Sequence, residues 1–260
     1  MLIPRPETEE LVRLVETHLL SLNSVESGAN GISRLLEVGI GSGAVSISLL
    51  TLCNQLEALG IDMSDAACEL THENAIKFNV DSRLTIVNSD VFNWIDTNTN
   101  TMKSTPSFNV LVSNPPYIPD EEMNDGLDPE IKNWESQDAL RGGKPCGLGF
   151  TLRLLRSLGI KSSSSSSSLS PLLSHAARAF FEVHFTHPAL LIAILQPASR
   201  GKRMTLPAAS SFGKGVDVDI PSRTIVSEED ELELQKSWRF IAAYGDFNEK
   251  PRFVVLEKKE

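Results

Sequence analysis

Three things are scarce in this sequence, and each scarcity removes a class of function. Basic residues are outnumbered, 24 Lys and Arg against 34 Asp and Glu, for a formal charge of -10 and an isoelectric point near 5.1. A broad basic surface for gripping phosphates is not available from such a balance, which makes long duplex DNA a less favourable partner. Cysteines number three, Cys53, Cys68 and Cys146, an odd count without CxxC spacing. That argues against a disulfide scaffold and a cysteine zinc site, so no metal is expected and a reducing compartment is the simpler setting. Long apolar runs are missing too: no stretch reaches the ~18 residues that a bilayer crossing needs, and no membrane span is expected. The first ten residues hold a turn and acids rather than the basic, apolar pattern of a leader. They already resemble the interior of a longer protein, and sequence upstream of Met1 is expected.

What is present suffices for a core. With 41% of 260 residues hydrophobic, the chain reads as a single domain over 1–260, with flexible insertions at 161–171 and 196–225. Pro4 and Pro6 fix an extended entry. Glu7, Glu9 and Glu10 then fall in the first turn of a helix, where the positive dipole end favours acids. Leu11, Val12, Leu14, Val15 and Leu19 form its apolar face, and a polar loop over 21–33 follows. Leu35, Leu36 and Val38 make a short buried strand, broken by Gly39, Gly41 and Gly43 before a helix over 44–52. Further strands are predicted at 58–61, ending on Asp62, at 83–87, ending near Ser89 and Asp90, and at 108–112, with a helix over 64–78. An acidic loop leads to a helix over 148–158, a strand over 179–183, a helix over 188–195 and a loop over 196–221. Strands over 238–243 and 253–256 close the chain as an antiparallel hairpin. The serine tract 162–168 cannot bury apolar area to offset its ordering entropy. Strands separated by helices predict a mainly parallel sheet covered on both faces, with ligands at the carboxyl ends of its strands.

The stretch Leu35 to Gly43 places three glycines where a strand turns into a helix. Glycine permits positive φ and close approach of a ligand, and a helix start offers free N–H donors, so nucleotide-like cofactors use this surface. The spacing is G-x-G-x-G rather than the dinucleotide G-x-G-x-x-G, and NAD remains the minor reading. Asp62 ends the next strand about 20 residues on, where a carboxylate can accept both hydroxyl hydrogens of a ribose. The plainer alternative is a tight turn in any α/β protein, with Asp62 capping the following helix.

The Asn114-Pro115-Pro116-Tyr117 loop is more specific. Two prolines stiffen the chain as it leaves a buried strand and remove two N–H donors, which leaves carbonyl oxygens to face a cavity. The side-chain carbonyl of Asn114 and the main-chain carbonyl of Pro115 can both accept hydrogens from one NH2 group. Tyr117 offers an aromatic face to a planar amide or base. In-line methyl transfer to such a nitrogen rests on positioning and electrostatics more than on a strong base.

Together with Ile3-Pro4-Arg5-Pro6-Glu7-Thr8-Glu9, Ser89-Asp90, Val112 to Ile118 and a weaker match over 246–253, these features resemble the HemK/PrmC family. Its members methylate glutamine in the GGQ motif of peptide chain release factors. The resemblance implies a Rossmann-like class I S-adenosylmethionine-dependent methyltransferase fold, an α/β domain with a mainly parallel seven-stranded sheet and a C-terminal antiparallel hairpin. It implies protein-(glutamine-N5) methylation, with S-adenosyl-L-methionine as cofactor and a release factor as protein partner. Gly39, Gly41 and Gly43 would line the methionine and ribose of the cofactor, Asp62 would hold the ribose hydroxyls, and Asp90 and Val91 would lie beside the adenine. The opening Pro-Arg-Pro-Glu-Thr-Glu turn would close over the cofactor. Asn114, Pro115, Pro116 and Tyr117 would hold the glutamine amide, with Asn114, Pro115 and Tyr117 catalytic and Asn114 also touching the cofactor. Where relatives carry an aromatic after the acid, this chain has Val91, so adenine packing is expected to differ. Family members carry a helical domain ahead of the opening motif that helps grip the release factor, and grip is where a departure is expected. The location is left open by the sequence; a mitochondrial or cytoplasmic one is expected, with mitochondrial ahead.

Other chemistry-bearing residues read as structural. His184 and His187 lack a third ligand for a metal, the acids between Asp120 and Glu135 read as a solvated lip, and Cys146 has no partner marking a nucleophile. Two further functions stay open: an amino-group methyltransferase of adenine or guanine in DNA or RNA, and a catalytically impaired cofactor-binding remnant.

Overall fold

The computed structural model describes residues 3–25, 32–101, 107–127, 131, 134–159, 172–209 and 214–259. The serine tract and the 161–171 insertion lie outside the described residues. The chain divides into two compact units, one of Met1–Asn114 with Ser164–Phe180, the other of Pro115–Ser163 with Phe181–Glu260.

The first unit opens with α1 (Pro6–Val25) and alternates β1 (Ser33–Val38), α2 (Ala44–Leu52), β2 (Leu56–Asp62), α3 (Asp65–Lys77), β3 (Leu84–Asn88), α4 (Val91–Thr101) and β4 (Phe108–Ser113). Strand β5 (Leu173–Glu182) starts in this unit. β1 pairs in parallel with both β2 and β4, and β2 with β3. Leu35, Leu36, Val110, Leu111 and Val112 are essentially inaccessible, as expected of central strands covered on both faces. Burial of Leu11, Val15 and Leu19 fixes the inner face of α1. That helix continues through Val25 where a loop was expected from Ser21; the Ser21 hydroxyl donates to His18 O at 2.6 Å, which lets a serine sit inside a helix.

The second unit holds α5 (Asp120–Asp125), α6 (Gly149–Gly159), α7 (His187–Leu195), β6 (Arg203–Leu206), β7 (Val216–Asp219), α8 (Glu228–Ser237), β8 (Trp238–Gly245) and β9 (Pro251–Lys258). The hairpin β8–β9 is antiparallel, with Trp238 opposite Lys258 and Tyr244 opposite Phe253. The loop expected over 196–221 is corrected in part: β6 and β7 pair antiparallel within it, from Arg203↔Asp219 to Leu206↔Val216.

The seven-stranded sheet has the order β3-β2-β1-β4-β5-β9-β8, with β6 and β7 forming a separate pair. This order, with β1 paired in parallel to β2 and β4 and an antiparallel hairpin whose last strand lies between β5 and β8, is a Rossmann-like α/β arrangement with a mainly parallel sheet. In such sheets ligands sit at the carboxyl ends of the strands, where the order reverses about β1 and β4.

Candidate active site

The glycine turn follows β1 directly. Gly39 and Gly41 adopt φ of 75° and 59°, and a Cβ built on either meets nothing within 4 Å. Gly43 has φ of 79°, but its Cβ would lie 2.7 Å from Ile47 Cδ1 and 2.9 Å from Thr71 Cγ2. Two of the three expected cofactor glycines therefore border open space, while the third faces protein and lets α2 start close against α3. Thr71 Oγ1 donates to Gly41 O and Asn74 Nδ2 to Ser42 O, both at 2.9 Å, so α3 holds the outer rim of the turn.

Asp62 ends β2 with its carboxylate partly engaged: Oδ2 accepts from Gly41 N at 2.9 Å and Oδ1 from Ser64 N at 3.0 Å. An ionised carboxylate offers about four lone-pair positions, so two remain for ribose hydroxyls. The open Cβ directions of Gly39 and Gly41 beside this carboxylate fit a nucleoside-bearing cofactor. Asp90 Oδ1 accepts from Phe92 N at 2.9 Å and Asn93 N at 3.0 Å, capping α4, and Val91 is buried at its start. Ser89 N donates to Asp62 O at 2.9 Å, which brings the Asp90 loop beside the end of β2.

Register settles where Asn114 stands. Val38 and Ser113 are partners on adjacent parallel strands, and the Ser113 hydroxyl donates to Val38 O at 2.7 Å. Gly39 and Asn114 are the next residues along, so the loop leaves the sheet beside the glycine turn. Asn114 Nδ2 donates to Thr8 Oγ1 at 3.4 Å, whereas Oδ1 is buried and has no hydrogen-bond partner. A buried acceptor left unmade costs roughly 1–3 kcal/mol, which marks the position as one that waits for a donor.

The rest of the loop belongs to the second unit. Pro115 is buried, and Tyr117 OH donates to Glu182 Oε1 at 3.2 Å. The Arg252 guanidinium lies 5.9 Å from the Tyr117 ring centroid. Ile118 N donates to Leu140 O at 2.8 Å and Gly142 N to Ile118 O at 3.1 Å, stitching the loop to the 140–142 backbone. Glycines press on it from that side: a Cβ at Gly142 would lie 2.7 Å from Tyr117 Cα, and one at Gly147 would lie 2.3 Å from Tyr117 O. The loop is thus rigid in its main chain as well as through its prolines.

His187 is fully buried with Nε2 donating to Cys146 O at 2.7 Å, and its Nδ1 lacks a partner; burial first holds its pKa down to about 4. His184 Nε2 meets Glu122 of the acidic lip at 3.2 Å. A cavity of about 460 Å³ is lined by residues of α2 and α3, Ile47, Thr51 and Phe78 among them, and not by Gly39, Asp62 or Asn114.

Sequence reasoning missed Glu37 and Glu182. Glu37, 3% exposed within β1, accepts from Ser46 N at 3.0 Å and from the Ser46 hydroxyl, tying the strand before the glycine turn to the helix after it. Burial pushes its pKa up to about 8, opposed by the Ser46 hydrogen bonds and helped by the charge of Asp62. An acid in an otherwise apolar strand was the available signal. Glu182, 1% exposed, gave none, because its partner Tyr117 is 65 residues away.

Residues 17–141 match the methyltransferase small domain. The match runs from within α1 to beyond Tyr117, and so includes every expected site residue. Among curated relatives, the MTRF1L release factor glutamine methyltransferase of Homo sapiens is 36% identical over 197 residues, 75% of this chain and 52% of that protein. The release factor glutamine methyltransferase of Agrobacterium fabrum is 38% identical over 141 residues, 54% of this chain and 44% of its own length. That of Bacillus cereus is 33% identical over 162 residues, 61% and 50% respectively. The resemblance carried by the opening motif, the glycine turn and Asn114 to Tyr117 is borne out by these relatives. The chain spans about half the length of the curated relatives it matches.

Proposed function

We propose that this methyltransferase-domain chain transfers a methyl group from S-adenosylmethionine to the side-chain amide nitrogen of glutamine in the GGQ motif of a peptide chain release factor, with residues 1–260 acting as one domain. The observation that carries this reading is the buried, unpartnered Oδ1 of Asn114 at the end of β4, beside the glycine turn. A donor from an incoming group would satisfy it, and a primary amide brings two.

In this reading Gly39 and Gly41 admit the methionine and ribose of the cofactor, with Gly43 supporting the turn from behind. Asp62 accepts the ribose hydroxyls on its two remaining positions, and Asp90 and Val91 border the adenine. Bound S-adenosylmethionine supplies a sulfonium-activated methyl group. The chain's own residues hold the acceptor: Asn114 Oδ1 and the Pro115 carbonyl each take one amide hydrogen, which orients the nitrogen lone pair. Pro116 keeps those oxygens rigid, and the Tyr117 ring supports the amide plane. Such preorganised positioning accounts for most of the acceleration that this chemistry needs.

The names of the relatives support a glutamine acceptor over a nucleobase, as does the charge of -10. A mitochondrial or cytoplasmic location, mitochondrial ahead, goes with a release factor that works on ribosomes in either place, and a tagged chain tests it. Incubation with methyl-labelled S-adenosylmethionine and either a release factor or nucleic acid tests the activity. Label on the GGQ glutamine is expected. Label on a base, or cofactor binding with no transfer, overturns the proposal.

A further inference from the structure

We infer that Thr8 is a positioning residue that dictates which end of the Asn114 carboxamide faces the acceptor. The inference rests on the reading of Asn114 as the acceptor-binding residue and goes beyond it, since the opening motif was expected only to close over the cofactor.

A carboxamide is nearly symmetric in shape and opposite in chemistry at its two ends. Turned by half a rotation about its last bond, Asn114 would present an NH2 group to the NH2 group it is meant to hold, and donor would face donor. Something must make one orientation the stable one. Thr8 holds the observed one: its Oγ1 receives Asn114 Nδ2 at 3.4 Å, which engages the donor end and leaves Oδ1 buried without a partner.

Thr8 is itself well fixed. It is 7% exposed in the first turn of α1, and its backbone N–H donates to Arg5 O at 3.0 Å, closing the turn that Pro4 and Pro6 prepare. Threonine is stiff at its first side-chain bond, so the hydroxyl is delivered in one place. The 3.4 Å distance is long for a hydrogen bond; it suits a contact that tightens when the acceptor loads Oδ1. Thr8 therefore acts through Asn114, without touching the reacting atoms.

Three variants test this. Thr8→Val keeps the shape and removes the hydroxyl, Thr8→Ser restores it, and Asn114→Ala serves as reference. With the full chain, labelled cofactor and a release factor, Thr8→Val should lower kcat roughly 10- to 100-fold, the cost of a misaligned reacting group. Its cofactor affinity and melting temperature should stay near wild type, and Thr8→Ser should recover most of the rate. In nitrogen-15 spectra the side-chain NH2 pair that Asn114→Ala deletes should shift in Thr8→Val and return in Thr8→Ser. Wild-type turnover in Thr8→Val beside an inactive Asn114→Ala overturns the inference and leaves the reading of Asn114 intact. Cofactor affinity falling in step with kcat overturns it too, since Thr8 then serves the cofactor. Full activity in Asn114→Ala removes the underlying reading and Thr8 with it. If no acceptor is turned over, an unmoved Asn114 NH2 pair in Thr8→Val is the overturning result.

Discussion

The phenol of Tyr117 donates to the buried carboxylate of Glu182 at 3.2 Å, so the ring that closes the Asn-Pro-Pro-Tyr loop is held from its far end. With Arg252 5.9 Å from the ring centroid, a cation sets one side of its environment. Tyr117→Phe keeps the flat face and loses the tether. It should cost about 1.5 kcal/mol of stability, the low end for a bond to a charged group, because the ring is partly exposed. Most turnover should survive. Tyr117→Ala should instead raise KM for the acceptor, and steady-state kinetics on the two variants separates support of the ring from its contact with substrate.

Asn114→Ala and Asp62→Ala divide the site by function. The first removes the waiting acceptor and should cut kcat by about 10²–10³, the scale seen when one preorganised polar partner is lost. Calorimetry should find cofactor affinity far less affected than turnover. The second should weaken cofactor binding and also loosen the turn, because Asp62 Oδ2 holds Gly41 N. Undiminished transfer in Asn114→Ala would refute the assignment.

The three glycines are not equivalent. Gly41→Ala should cost roughly 1–2 kcal/mol from left-handed backbone strain and should also reduce cofactor affinity, since its Cβ enters the open side. Gly43→Ala carries the same strain and adds overpacking against Ile47 and Thr71, worth about another 1–3 kcal/mol. Urea denaturation should rank Gly43→Ala as the less stable of the pair.

Two buried groups give stability opposite pH slopes. Glu37 has its folded pKa raised from 4.5 to about 8, so the folded state holds its proton more tightly. That contribution is complete below about pH 4.5, falls as pH rises and is gone above about 8. His187 is lowered from 6.5 to about 4, and its contribution is complete above about pH 6.5 and fades toward about 4. His18, lowered to about 4 by burial and by Arg178, adds to the acid side. Urea midpoints against pH should show Glu37→Gln flattening the alkaline decline and His187→Gln the acidic one. A Glu37→Gln curve parallel to wild type from about pH 5 to about pH 9 would contradict the first.

Where structure is local, it is legible in the residues. Strands β1, β2 and β4 and helix α2 follow from short apolar runs and glycine breaks, and the order of site residues at successive strand ends follows from alternation. Helix α4 was not legible, because Val91–Thr101 is rich in Asn and Thr; Asp90 caps it and burial of Phe92, Trp94 and Ile95 holds it. Helix α8 has one buried residue, Leu234, and is held by the Arg200–Glu231 ion pair and by Gln235 Nε2 donating to Ile194 O at 2.6 Å. At the site, the identity of Asn114 and Tyr117 was local information. Their partners Thr8 and Glu182 lie 106 and 65 residues away, and only folding reveals such pairs.

Gly142 and Gly147 leave Tyr117 no clearance, and this has a bearing on how the chain can vary. A randomised library should return blanks at these two positions, even for alanine, while neighbouring exposed positions such as Lys144 accept many residues. Descendants of this protein can alter their lip and their surface charge freely, but the seam behind the tyrosine must be inherited bare.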